Sequence, residues 1–265
     1  MSEFSEKIVV VTGGASGIGA AAARSFSDCG ARVALIDQNA AAVAELAEEI
    51  GGYAYALDIV DEQAVKQAIN AIERDLGSVE VLVASAGIVQ DPLPPDQLPL
   101  EVFDRLIEVD FRGLYLCCTE VGTRMAARGK GAIVAISSVA GMRSMPLHAY
   151  SPAKAAVISL VECLAAEWGR SGVRVNTVSP GYTLTPALKE QIARGYREPA
   201  QLREMSATGE LIYPEDIAEA IQFLASERAS CITGVNVPVD GGWLVSGSWQ
   251  TFGGVRASRK EVASD

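Results

Sequence analysis

The sequence is poor in the residues that staple or metallate small proteins. It has one histidine, His148, and five cysteines among 265 residues, and no two cysteines stand at the CxxC spacing of a zinc or redox site. Cys29, Cys117, Cys118, Cys163 and Cys231 therefore read as small apolar residues of a reducing compartment, and no metal site is expected. Basic residues are also short: 22 Lys and Arg stand against 33 Asp and Glu, a formal charge of −11. That balance argues against nucleic acid and against an anionic membrane surface as partners. Apolar runs fall well below the ~20 residues that a membrane helix needs. The stretch from Met1 to Lys7 is polar and acidic, without a signal-peptide core, so a cytoplasmic location is expected.

What is present is a regular alternation. Ile8–Val11, Arg32–Ile36, Val79–Val83, Ala132–Ile136 and Val173–Val178 are short, β-branched and almost wholly apolar, as parallel strands covered on both faces must be. Between them lie Ala-, Leu- and Glu-rich stretches at helical spacing: Ala20–Phe26, Ala40–Ile50, Asp61–Leu76 and Ala153–Gly169. The pattern predicts an α/β, doubly wound parallel sheet with helices on both faces. One domain over 1–245 is expected, followed by a tail, 246–265, that is partly disordered or at an oligomer interface. Four prolines in Gln90–Pro99 exclude helix and central strand there. Residues 180–214 mix Gly, Pro and charge, which suits a substrate flap over about 182–212.

The first strand runs into Thr12-Gly13-Gly14-Ala15-Ser16-Gly17-Ile18-Gly19 and then a helix. In that context glycines let the backbone approach a pyrophosphate, whose charge rests on the helix N-terminus. Asp37 ends the second strand 18 residues after Gly19. A carboxylate there accepts the adenosine ribose hydroxyls and repels a 2′-phosphate, so NAD is the expected cofactor. Leu57-Asp58-Ile59 reads as the end of the third strand, where Asp58 either accepts from the adenine amino group or caps the helix starting near Asp61.

After the fifth strand comes Ser137-Ser138, and 12 residues beyond Ser138 stands Tyr150-Ser151-Pro152-Ala153-Lys154. Tyr150 and Lys154 are one helical turn apart, which sets the amine beside the phenol. A neighbouring ammonium favours the phenolate and lowers the tyrosine pKa toward the range a general base needs.

Thr12-Gly-x-x-x-Gly17-x-Gly19, Ser138 and Tyr150-x-x-x-Lys154, in this order over roughly residues 5–245, resemble the short-chain dehydrogenase/reductase family, in its compact single-domain branch. The resemblance implies a seven-stranded Rossmann sheet, a homotetramer, and hydride transfer between nicotinamide and a secondary alcohol or ketone. Tyr150 is then the acid/base, Lys154 holds the nicotinamide ribose and lowers the tyrosine pKa, and Ser138 binds the reacting oxygen. Ile59, Ala86 and Gly87 border the cofactor. Pro180-Gly181-Tyr182-Thr183-Leu184-Thr185 resembles the nicotinamide loop, with Thr183 and Thr185 on the carboxamide. Two positions depart from the family. Ala84-Ser85-Ala86-Gly87 stands where Asn-Asn-Ala-Gly is usual, and Asp110 replaces an asparagine that helps link the lysine to solvent. An aspartate accepts hydrogen bonds but cannot donate them.

A polyol, sugar or hydroxy-acid dehydrogenase is the substrate class expected. A 3-oxoacyl thioester reductase is the alternative within enzymes, and a non-catalytic nucleotide sensor is the alternative outside them. His148, Arg143 and the flap cations Lys189, Arg194, Arg197 and Arg203 identify no substrate by themselves. Trp243 and Trp249 read as oligomer contacts.

Overall fold

The computed structural model describes residues 3–257. Among them are seven strands: β1 (Ile8–Thr12), β2 (Arg32–Asp37), β3 (Tyr53–Ala56), β4 (Val79–Ala84), β5 (Gly131–Ile136), β6 (Val173–Pro180) and β7 (Asn236–Val239). They pair in the order β3-β2-β1-β4-β5-β6-β7, every pair parallel. The central strands β1, β2, β4 and β5 are largely apolar because both their faces are covered, whereas the edge strand β3 is mostly exposed. Val9, Val11, Val33 and Leu35 pack on one side with Phe26 of α1 (Gly17–Asp28), Val43 of α2 (Ala40–Ile50) and the helix later in the chain that carries Ile217 and Ile221. Ile8, Val10, Ala34 and Ile36 pack on the other with Ile69 and Ile72 of α3 (Glu62–Asp75).

That second layer is completed by Val121 and Val157, on two further helices. One is α5 (Leu114–Arg128), continuous with α4 (Leu100–Ile107) through a π-helical segment, Glu108–Gly113; the other is α6 (Tyr150–Trp168). Two short helices, α7 (Pro186–Ala193) and α8 (Pro199–Glu204), lie within 182–212, the stretch where a substrate flap is expected. Next come α9 (Pro214–Ala225), which bears Ile217 and Ile221, and α10 (Trp243–Ser246), which leads into a 3-10 turn, Gly247–Phe252. Residues 258–265 of the expected tail lie outside the described residues.

Strand order reverses between β1 and β4, and a cleft opens at the carboxyl ends of the strands around that point, where open α/β sheets bind ligands. Three sequence expectations are corrected. Strand β3 stops at Ala56; 57–58 is irregular and 59–60 is a turn closed by Asp61 N–H donating to Asp58 C=O. The proline-rich stretch contains one 3-10 turn, Pro95–Gln97, whose first residue needs no N–H. Helix α6 starts at Tyr150, a turn before Ala153, because a distant side chain caps it.

Candidate active site

The cleft has a volume of about 380 Å³ and is lined at its nucleotide end by Gly13, Ser16, Gly17, Ile18 and Gly19. A Cβ on Gly19 would lie 2.1 Å from the Gly13 carbonyl oxygen, so the loop closes this tightly only with glycine. Ser16 is the N-cap of α1 but makes no side-chain capping bond, which leaves the first N–H groups of a 12-residue helix available to an anion. Thr12 does not line the cleft. Its buried hydroxyl accepts from Ser85 N–H and Ala86 N–H, both at 3.2 Å, and ties the end of β1 to the segment after β4. The sequence expects Thr12 at the cofactor; in the structure its hydroxyl supports Ser85 and Ala86, which line the cleft.

Asp37 lines the cleft, and its carboxylate is fixed by Ala15 N–H at 3.1 Å and Asn39 N–H at 3.0 Å. Each oxygen keeps a free lone pair for a ribose hydroxyl. Asp58 and Ile59 also line it. Asp58 accepts from Val60 N–H and pairs with Arg105 of α4 at 2.5 Å. It does not cap α3; Asp61 does, accepting from Ala64 N–H. Arg105 was not legible as a site residue, because α4 reads as an ordinary amphipathic helix.

At the centre stand Ser138, Tyr150 and Lys154. Ser138 follows β5 and accepts from Ala140 N–H at 3.1 Å, opening a 3-10 turn. Neighbouring Ser137 donates to the Lys154 carbonyl at 2.7 Å, which locks the β5 end to α6. Lys154 Nζ lies 5.5 Å from the Tyr150 ring centre and donates to Ile136 C=O at 3.2 Å. Ala86, Gly87, Pro180, Gly181, Thr183 and Thr185 line the same space. The Thr185 hydroxyl accepts from Leu188 N–H as the cap of α7, which leaves its proton and one lone pair for a ligand.

Asp110 lies in the π-helical segment, a wide turn of the kind that often marks functional sites. It is fully buried. Oδ1 accepts from Ile88 N–H at 2.8 Å, and Oδ2 stands 3.0 Å from Lys154 Nζ. That second contact is an ion pair without good hydrogen-bond alignment. Gly87 is pressed against it: a Cβ there would lie 3.0 Å from Oδ2 and 3.2 Å from Nζ.

Burial works against all three charges. It pushes the Asp110 carboxyl above its usual range, against the pull of Lys154. In Lys154 burial favours the neutral amine, but Asp110 and Tyr150 outweigh it and hold the ammonium. The Tyr150 phenol is pushed up by burial and by Asp110, and pulled down by Lys154 and a hydrogen bond with Ser138. The lowering by Lys154 expected from the sequence is present, yet the net direction is upward.

Gln90 was missed. It is 1% exposed, and its side-chain oxygen accepts from Ala149 N–H at 2.9 Å and Tyr150 N–H at 3.2 Å, capping the helix that carries Tyr150. His148 and Arg143 are exposed and do not line the cleft; Arg143 donates to the adjacent Met142 carbonyl. Among the described residues no helix is long and apolar enough to cross a membrane, and no three His, Cys, Asp or Glu side chains are grouped to hold a metal.

Residues 13–244 match the family model described as enoyl-(acyl carrier protein) reductase. The chain is 39% identical to a D-threitol dehydrogenase of Mycolicibacterium smegmatis, covering 90% of this chain and 93% of that protein. It is 40% identical to a cis-4-hydroxycyclohexanecarboxylate dehydrogenase of Sinomonas cyclohexanicum, over 91% and 97%. The chain belongs to the short-chain dehydrogenase/reductase family. It is an oxidoreductase of the CH–OH class. A crystal structure described as ribose-5-phosphate isomerase from Brucella melitensis 16M is 49% identical and superposes with a TM-score of 0.95, over 97% of this chain and 99% of that one.

Proposed function

We propose that this short-chain dehydrogenase uses NAD and acts on a secondary alcohol or ketone of the polyol, sugar or hydroxy-acid type. The observation that carries the proposal is the convergence of Ser138, Tyr150 and Lys154 in one cleft with an uncapped helix N-terminus and a pinned Asp37. When bound, the nicotinamide accepts or supplies the hydride. Gly13, Ser16, Gly17, Ile18 and Gly19 would hold the pyrophosphate, and Asp37 the adenosine ribose, excluding a 2′-phosphate. Asp58 and Ile59 would flank the adenine, while Ala86 and Gly87 let the cofactor pass. Lys154 would hold the nicotinamide ribose, and Pro180, Gly181, Thr183 and Thr185 the carboxamide. Tyr150 takes the hydroxyl proton during oxidation and returns it during reduction, while Ser138 hydrogen-bonds the same oxygen. Asp110 acts through Lys154 as a positioning residue.

Asp37 disfavours the NADPH-linked reduction of acyl thioesters. The isomerase description of the 49% identical structure names a different chemistry, since moving a carbonyl along a sugar needs no nicotinamide. The assay is NADH formation with NAD or NADP over secondary alcohols, polyols, hydroxy acids and ribose 5-phosphate. NADH from an alcohol supports the proposal. Ketose formation from ribose 5-phosphate, with no nicotinamide turnover on any alcohol, overturns it. A homotetramer in the cytoplasm is the assembly we propose, supported by the half-exposed Trp249 and by the family; sedimentation tests it.

A further inference from the structure

The substrate end of the cleft holds hydrogen-bond donors that the protein does not use. Gln90 lines the cleft, and both lone pairs of its oxygen are taken by Ala149 and Tyr150 N–H. That fixes which end of the amide is the donor. The donor end, Nε2, is buried and has no partner among the described residues. Arg197 of the flap lines the same cleft, lies over the Tyr182 ring at 5.9 Å, and has a buried Nε without a partner. Its only hydrogen bond among the described residues is to the adjacent Tyr196 carbonyl.

The cleft's charges show how unusual Arg197 is. Lys154 is paired with Asp110, and Arg105 with Asp58 and Glu108. Arg194, three residues before Arg197, is neutralised by a two-pronged contact with Asp91. That contact clasps the flap to the residue next to Gln90, so it brings the Gln90 and Arg197 segments to the same mouth of the cleft. Arg197 alone among the cleft's cations has no carboxylate partner within the described residues, in a protein of net charge −11. The carboxylates that line the cleft, Asp37, Asp58 and Asp110, are all engaged elsewhere. The cleft wall also includes the apolar side chains of Met145, Leu147 and Leu188.

We infer that the substrate carries a carboxylate, a hydroxy acid or its oxo acid, whose anionic end is received by Arg197 and the Gln90 amide while its alcohol carbon faces Tyr150. A planar carboxylate has acceptors and no proton to donate, which matches a subsite of donors. A neutral diol brings no charge to Arg197, and so matches less well a cation that has no carboxylate partner among the described residues and a buried Nε that has no acceptor. Because Gln90 caps the helix that begins at Tyr150, the residue that senses the carboxylate also positions the acid/base.

The inference rests on the dehydrogenase reading, and the test separates the two. Secondary hydroxy acids of four to seven carbons are each assayed with NAD beside their primary carboxamides, with butane-2,3-diol and ribose 5-phosphate as further arms. Acids should exceed their amides in kcat/KM by at least about tenfold, the scale of one well-placed ionic contact. Arg197→Met should erase most of that ratio through KM, and Arg197→Lys should restore part of it. Gln90→Glu keeps the acceptor oxygen and puts a charge where the donor was, so it should weaken acids more than amides. As a readout independent of turnover, 3-hydroxybutyrate added to the NADH-loaded enzyme should raise its melting temperature in the wild type and not in Arg197→Met. Equal use of acids and amides, a preference for the diol or the phosphate, or an unchanged ratio in Arg197→Met overturns the carboxylate. Absence of NADH formation with every arm overturns the dehydrogenase reading itself.

Discussion

The two ends of the cleft are built by different means. At the nucleotide end the carboxylates are held by the sheet and its turns: Asp37 by N–H groups of Ala15 and Asn39, Asp58 by Val60 and Arg105. At the other end Gln90 and Arg197 sit on loops, and Gln90 Nε2 and Arg197 Nε have no partner among the described residues. In the proposed reading a rigid scaffold presents the nucleotide-binding part of the site, and loops carry the part that would select the substrate. Asp110 belongs to neither end. It is buried at their junction, on a π-helical turn, and its charge falls on the lysine that serves both.

The largest expected effect breaks the junction. Tyr150→Phe keeps the ring on its helix and removes the exchangeable proton. Turnover should fall by about 10²–10⁴-fold, the range of general acid–base catalysis. NADH affinity, read by fluorescence titration, should hold, because the phenol does not carry the nucleotide end. Near-normal turnover would place the chemistry elsewhere.

The same contrast explains what the sequence made legible. The central strands were readable because burial on both faces makes them continuously apolar, and α2 was readable because its Ala, Leu and Glu residues recur at helical spacing, with Asn39 and Gly51 capping it in the structure. Ser138, Tyr150, Lys154 and the glycine loop lie within short segments whose spacing survives folding. The end of β3 was misread because Leu57 and Ile59 continue the apolar alternation into the turn. The π-helical segment was hidden because one widened turn barely disturbs the apolar periodicity of a long helix. Gln90 was hidden for another reason: its hydrogen bonds reach 59 and 60 residues along the chain, and no local pattern announces them. The upward push on Tyr150 was also out of reach, since the spacing shows the ammonium beside the phenol but not the burial around both.

A smaller effect sharpens the nucleotide end. With Asp37 in place, kcat/KM with NAD should exceed that with NADP by more than about tenfold, since a carboxylate at the ribose repels a 2′-phosphate. Asp37→Ser combined with Gln38→Arg should narrow the gap, read as the ratio of the two cofactors at one substrate concentration. Equal use of both cofactors by the unaltered protein would remove Asp37 from the ribose.

The smallest expected effect concerns Asp110 and is a shift in pH. The charged groups facing Tyr150 are Lys154, one turn along the same helix, and Asp110 from the π-helical segment; Ser138 adds a neutral hydrogen bond from the end of β5. Lys154 favours the phenolate, and Asp110 opposes it by like charge. Removing the Asp110 charge lowers the folded-state pKa of Tyr150, so the phenolate becomes available at lower pH. Asp110→Asn should then move the rising limb of kcat/KM for alcohol oxidation toward lower pH. The opposing consequence is that Lys154 loses its partner in a buried site, where the neutral amine is favoured. Its remaining acceptor, Ile136 C=O at 3.2 Å, works against that loss. Because the three groups titrate together, the limb reports the cluster rather than tyrosine alone. Asparagine keeps the oxygen that accepts from Ile88 N–H, whereas Asp110→Ala removes it, so Asp110→Ala should melt at the lower temperature of the two. Profiles over about pH 7–11.5, which bracket the usual tyrosine and lysine values, measured with one substrate for the wild type and Asp110→Asn, decide the matter. An unmoved or upward-moved limb with normal melting would mean that Asp110 serves as a structural acceptor for Ile88 and does not govern the proton held by Tyr150.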